Sequence, residues 1–103
     1  MRVLLISKDK HLVPPEQLLP LIQRFVEWRK KYHSNMECFE FFAVGNGGFG
    51  IINVPDETAL HQMMIEYPFV DLGENEIYPI LDGDQALARI QAVLQAMMAS
   101  KPS

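Results

Sequence analysis

The sequence has 103 residues, enough for one hydrophobic core and too few for two. Apolar residues make up 49% and charged residues 21%, which excludes a disordered chain, and a formal net charge of -4 disfavours nucleic acid, because phosphate binding needs clustered Lys and Arg. Cys38 is the single cysteine, so neither an internal disulfide nor a cysteine-rich zinc site can form, and a reducing, cytoplasmic setting is the default reading.

The N-terminus is charged and then apolar, but the run stops at Ser7-Lys8-Asp9. That is too short for a signal-peptide core or for the roughly 20 apolar residues of a membrane span, so no membrane partner is expected. Residues 3–7 read as a strand, ended by Lys8-Asp9-Lys10-His11. Pro14-Pro15-Glu16 then opens a helical pattern carrying Leu18, Leu19, Ile22, Phe25 and Val26 on one face, and Arg29-Lys30-Lys31 suits its last turn. Pro20 interrupts it. Either residues 15–19 form a separate turn with Pro20 opening the main helix, or the helix kinks; the first option better fits proline's preference for a first turn.

Residues 36–44 and 49–54 read as strands, with Asn46-Gly47 between them as a type I′ hairpin signal. Pro55-Asp56-Glu57 supplies an N-cap for a helix with Ala59, Leu60, Met63 and Met64, which Pro68 ends. Residues 76–81 read as a fourth strand. Asp82-Gly83-Asp84 caps a last helix bearing Leu87, Ile90, Val93, Leu94 and Met97, and residues 100–103 are expected to fray. The fold class is therefore α+β: a ferredoxin-like β-α-β-β-α-β antiparallel sheet with an extra C-terminal helix, as a single domain over residues 1–99.

The strands do not alternate apolar and polar residues. Val3-Leu4-Leu5-Ile6, Phe39, Phe41, Phe42 and Ile51-Ile52 put apolar groups on both faces, whereas two helices can cover only one. A second copy packed face to face is the economical cover, so a homodimer or higher homo-oligomer is expected.

The stretch Gly48-Phe49-Gly50-Ile51-Ile52-Asn53-Val54-Pro55-Asp56, followed by Ala59-Leu60-His61 and Tyr67-Pro68-Phe69, resembles the muconolactone isomerase-like group of the dimeric α/β barrel proteins. The similarity spans roughly residues 36–81 together with the element order of the whole chain. It implies a dimeric α/β barrel and membership of a group that holds ring isomerases and cofactor-free oxygenases. Residues 36–42 lack the Trp, Arg and His of the isomerase pattern, so a basic, anion-gripping pocket is not expected.

Gly45-Asn46-Gly47-Gly48-Phe49-Gly50 spells G-x-G-x-x-G, but a strand follows where a dinucleotide site needs a helix. Asp82-Gly83-Asp84 lacks the spaced ligands of a calcium loop, and His11, His33 and His61 are scattered. No cofactor or metal is expected.

Glu40 stands among Phe39, Phe41 and Phe42. With Asn46-Gly47 as a two-residue loop, Gly45 pairs with Gly48 and Glu40 falls opposite Asn53, sharing a face with Cys38, Phe42 and Ile51. A carboxylate desolvated by aromatics has a raised pKa, which suits a general base. The bland alternative makes Glu40 an edge charge that deters aggregation. On the functional reading Glu40, Asn53 and Tyr78 are catalytic, and Cys38, Phe42, Ile51 and Tyr67 bind substrate. The expected activity is that of a cofactor-independent enzyme acting on a hydrophobic small molecule by proton transfer next to a carbonyl, as in an isomerase or cyclase. A cofactor-free monooxygenase and a non-catalytic small-molecule binding or assembly module are the alternatives.

Overall fold

The computed structural model describes residues 1–9 and 13–100; Lys10, His11, Leu12 and the tail residues 101–103 lie outside them. Strand β1 (Arg2–Asp9) turns Val3, Leu5 and Ser7 inward. Its neighbours are β3 (Gly47–Asn53) and β4 (Gly73–Pro79), both antiparallel to it, and β2 (Met36–Phe41) lies outside β3. The order β2-β3-β1-β4 is that of the ferredoxin-like sheet, with β2 at an edge as the sequence indicates.

Helix α1 (Pro15–Lys31) and helix α2 (Glu57–Ile65) supply the core residues that pack on one face of this sheet. The α1 prediction needs correction: Pro20 lies inside one continuous helix and does not begin it. Pro20 and Glu16 are both exposed, so water can meet the Glu16 carbonyl that lacks the N–H of residue 20. Asp56 caps α2 by accepting a hydrogen bond from the Ala59 N–H at 2.9 Å, and Asp82 caps α3 (Gly83–Ala99) through Gln85 at the same distance. Such caps each stabilise a helix by about 1 kcal/mol.

The core comprises Val3, Leu5 and Ile52 from the sheet and Phe25, Trp28, Met63 and Met64 from the helices, joined by Val54 and Tyr67. Val3, Ile52 and Met63 are fully buried, a placement that stabilises by roughly 1.5–3 kcal/mol each. The Trp28 indole donates to the Met63 carbonyl at 2.9 Å, which locks α1 against α2 while satisfying the buried N–H. Phe25 sits at the centre of an aromatic cluster, with ring centroids of Phe39, Phe69, Trp28 and Tyr67 5.4–6.1 Å away.

Helix α3 behaves differently. It buries none of its residues; Leu87, Ile90, Val93, Leu94 and Met97 are each more than half exposed. The chain measures 71 Å along its longest axis, with a radius of gyration of 18.8 Å against about 13 Å for a compact chain of this size. Among the described residues no helix is long and apolar enough to cross a membrane.

The hairpin register also differs from expectation. Phe41 pairs with Gly48, Glu40 with Phe49 and Cys38 with Ile51, with an irregularity between Met36 and Cys38. The connection is longer than two residues, and positive φ falls on Gly45 and Gly47, with Asn46 outside that region. Strand β2 ends at Phe41, so the predicted strand over 36–44 is three residues too long. Glu40 therefore does not face Asn53.

Candidate functional site

Strand β3 alternates Gly48, Gly50 and Ile52 toward the helices. Ile52 fills its share of the space, but the two glycines do not. A cavity of about 200 Å³ opens above them, between the sheet and α1. Phe25, Phe39, Phe69 and Trp28 form its walls, and Leu18 and Ile22 of α1 stand with Phe41 at its mouth. The Arg29 guanidinium lies over the outer edge of this wall, 4.3 Å from the Phe39 ring centroid.

Polar groups enter this apolar space at one end. Ser7 pairs with Gly48 on one side and Asn75 on the other, which places the Ser7 hydroxyl at the cavity floor. It donates to Asn75 Oδ1 at 2.8 Å and accepts from the Tyr67 hydroxyl at 3.1 Å. Asn75 is itself anchored, donating through Nδ2 to the Val70 carbonyl at 3.1 Å. Burial pushes the Tyr67 hydroxyl above its ordinary pKa, the nearby Asp9 carboxylate adds to this, and the Ser7 contact partly offsets it. Tyr67 thus stays protonated at neutral pH and is a hydrogen-bond donor. Asp9 is the carboxylate among the cavity residues, and no Lys or Arg lines it among the described residues.

No family model and no curated protein sequence matches the chain. Solved structures do. A crystal structure of muconolactone isomerase superposes with a TM-score of 0.71 at 16% identity, covering 80% of this chain and 90% of the isomerase. The fold matches that of muconolactone isomerase. A second match is 5-chloro-2-hydroxyhydroquinone dehydrochlorinase from Burkholderia phenoliruptrix in complex with 2,5-dihydroxybenzoquinone, with a TM-score of 0.62 and 16% identity over 82% of this chain and 98% of that one. At such identities the likeness to muconolactone isomerase and the dehydrochlorinase establishes architecture, and the chemistry has to come from this chain's own residues.

Of the residues singled out from the sequence, Tyr67 lines the cavity. Glu40, Cys38 and Ile51 lie on the opposite, helix-free face of the sheet, where Phe42 meets Phe49 at 6.1 Å between ring centroids. Tyr78 belongs to the same face beside Leu4, and its hydroxyl donates to Glu76 at 3.3 Å; the Glu76 charge pushes that hydroxyl up. Asn53 is paired with a carboxylate, but with Glu37. It donates to Glu37 Oε1 at 2.9 Å, while Arg2 holds both carboxylate oxygens at 2.8–3.1 Å. Arg2 first, then Asn53, hold the Glu37 carboxyl below the usual range. An exposed acid so satisfied is a staple between β1 and the start of β2, and a poor base.

Ser7, Asn75 and Asp9 were not singled out from the sequence. The available signal was parity: Ser7 continues the inward row of Val3 and Leu5, so a hydroxyl stands where an aliphatic group belongs.

Proposed function

We propose that the chain is a cofactor-independent enzyme acting on a neutral, planar, cyclic small molecule by proton transfer next to a carbonyl. The observation that carries this reading is the buried Tyr67–Ser7–Asn75 hydrogen-bond chain at one end of an otherwise apolar cavity. A cavity of about 150 Å³ accommodates a benzene ring, so about 200 Å³ with an open mouth suits one substituted ring or two small fused rings. The carbonyl of such a ring would replace Ser7 as the acceptor of the single Tyr67 O–H. Asp9 would take the proton from the adjacent carbon, and the electron pair would move into the carbonyl to give an enolate that the Tyr67 donor stabilises. Returning the proton at a different carbon completes an isomerisation. Among the described residues no Lys or Arg lines the cavity, which favours a neutral substrate over a carboxylated one. Both structural matches act on, or are named for, small oxygenated rings, which supports the same class.

We infer also that a second copy covers the open sheet face, where Leu4, Ile6 and Ile51 stay only half-buried. This assembly stands apart from the cavity, on the other side of the sheet.

The test uses α-angelica lactone, a neutral ring with acidic hydrogens next to its carbonyl, in D2O. Exchange and isomerisation followed by nuclear magnetic resonance should outpace buffer, and Tyr67→Phe should slow them about 10²–10⁴-fold. Binding of the lactone with exchange no faster than buffer would favour the non-catalytic binding module.

A further inference from the structure

Two of the cavity's floor residues are glycines, and they are glycines for different reasons. At Gly48 a side chain is forbidden by the strand itself, because a Cβ there would collide with the Glu40 carbonyl of β2. At Gly50 the demand is weaker, a neighbour having to give by only a few tenths of an ångström. Its φ is not positive, and a Cβ built on it meets one atom within 4 Å, the Cys38 carbonyl oxygen at 3.3 Å, and no side chain. Gly50 is nonetheless buried in the middle of a strand, where glycine costs conformational entropy and packs nothing. A bare backbone under an open space, kept at that cost, fits close approach by a ligand.

We propose that Gly50 is the specificity-determining residue of the cavity: its missing side chain leaves a flat backbone floor that admits a planar ring and fixes how large that ring can be. The register supports this. Gly50 pairs with Leu5 and with Phe39, and Gly48 one inward position along pairs with Ser7. A ring lying over Gly50 therefore points its polar edge toward Ser7 and Tyr67 and sets its flank against Phe39. A single methyl group on the floor would lift the ring away from the hydroxyls and shorten the space available to a second fused ring. This inference rests on the cavity being the ligand site.

The experiment measures binding of two neutral planar lactones, 2-pyranone with one ring and coumarin with two, to the wild-type protein and to Gly50→Ala, by calorimetric titration. Thermal unfolding is read on both. Wild type is expected to bind both probes. Gly50→Ala should keep a cooperative transition, and its preference for one ring over two should rise at least about tenfold, as expected for one methyl-sized intrusion into an apolar pocket. Equal loss for both probes, or no change for either, would overturn the proposal. Loss of folding in both Gly50→Ala and Gly50→Ser would do so as well, because it would show that the strand requires glycine there. Wild type binding neither probe would instead fail the cavity as a ligand site, and the role of Gly50 with it.

Discussion

The Tyr67 hydroxyl reaches the Ser7 hydroxyl at 3.1 Å, joining the segment after α2 to the inward row of the central strand β1. Sixty residues separate the two in the chain, and they meet only because β1 runs between β3 and β4 under the helices. Tyr67→Phe removes the donor while keeping the ring in the aromatic cluster. Ser7 keeps Asn75 as a partner, so the loss of stability should be about 0.5–1.5 kcal/mol, the net worth of one hydrogen bond. Urea unfolding checks this alongside the exchange assay. A loss of several kcal/mol would mean that Tyr67 is chiefly structural.

Glu66 sets an acid limit on stability. Lys31, then Tyr32, hold its carboxyl at about 2, below its ordinary 4.5. Because the folded-state pKa is the lower one, this contribution is complete above the unfolded value and is lost as pH falls from about 4.5 toward 2. Urea midpoints measured between pH 6 and pH 2 should fall over that window, and Glu66→Gln should flatten the profile. A variant with the same slope as wild type would assign the acid sensitivity elsewhere.

Leu4 stands at the middle of the open sheet face, between Ile51 and Tyr78. Leu4→Glu puts a charge there without touching Val3 or Leu5 behind it. Sedimentation should show wild type at twice 11.8 kDa or more at micromolar concentration, and the variant near 11.8 kDa with its thermal transition retained. A variant that sediments like wild type would move the interface off this face.

Pro20 sits within α1 on its exposed side. Pro20→Ala restores one helical N–H and should raise stability by up to about 3 kcal/mol, the helix-interior penalty for proline. Thermal unfolding reads the gain. An unchanged midpoint would indicate that proline's restriction of the unfolded chain offsets it.

Element order was legible because its signals are local. Pro14-Pro15, Pro55-Asp56 and Asp82-Gly83 each act within a few residues, and Asp56 and Asp82 cap where the sequence placed them. Register was not legible, because Asn46-Gly47 suggested a two-residue turn, whereas the connection takes residues 42–46 and sets Glu40 opposite Phe49. That register gave Asn53 to Glu37 in place of Glu40. The cavity was hidden for a related reason. Ser7 and Asn75 are 68 positions apart and carry no motif; only strand pairing makes them neighbours.

Helix α3 ties secondary structure to abundance. Seventeen residues with no buried face is close to the length at which an isolated helix in water is marginal, so α3 needs something to lean on. If that support is another copy of the chain, dilution should melt α3 before the sheet. Far-ultraviolet helicity would then decline with protein concentration while the Trp28 fluorescence, reporting a core that α3 does not touch, stays constant. The chain would register its own concentration as a coil-to-helix transition in its last seventeen-residue element.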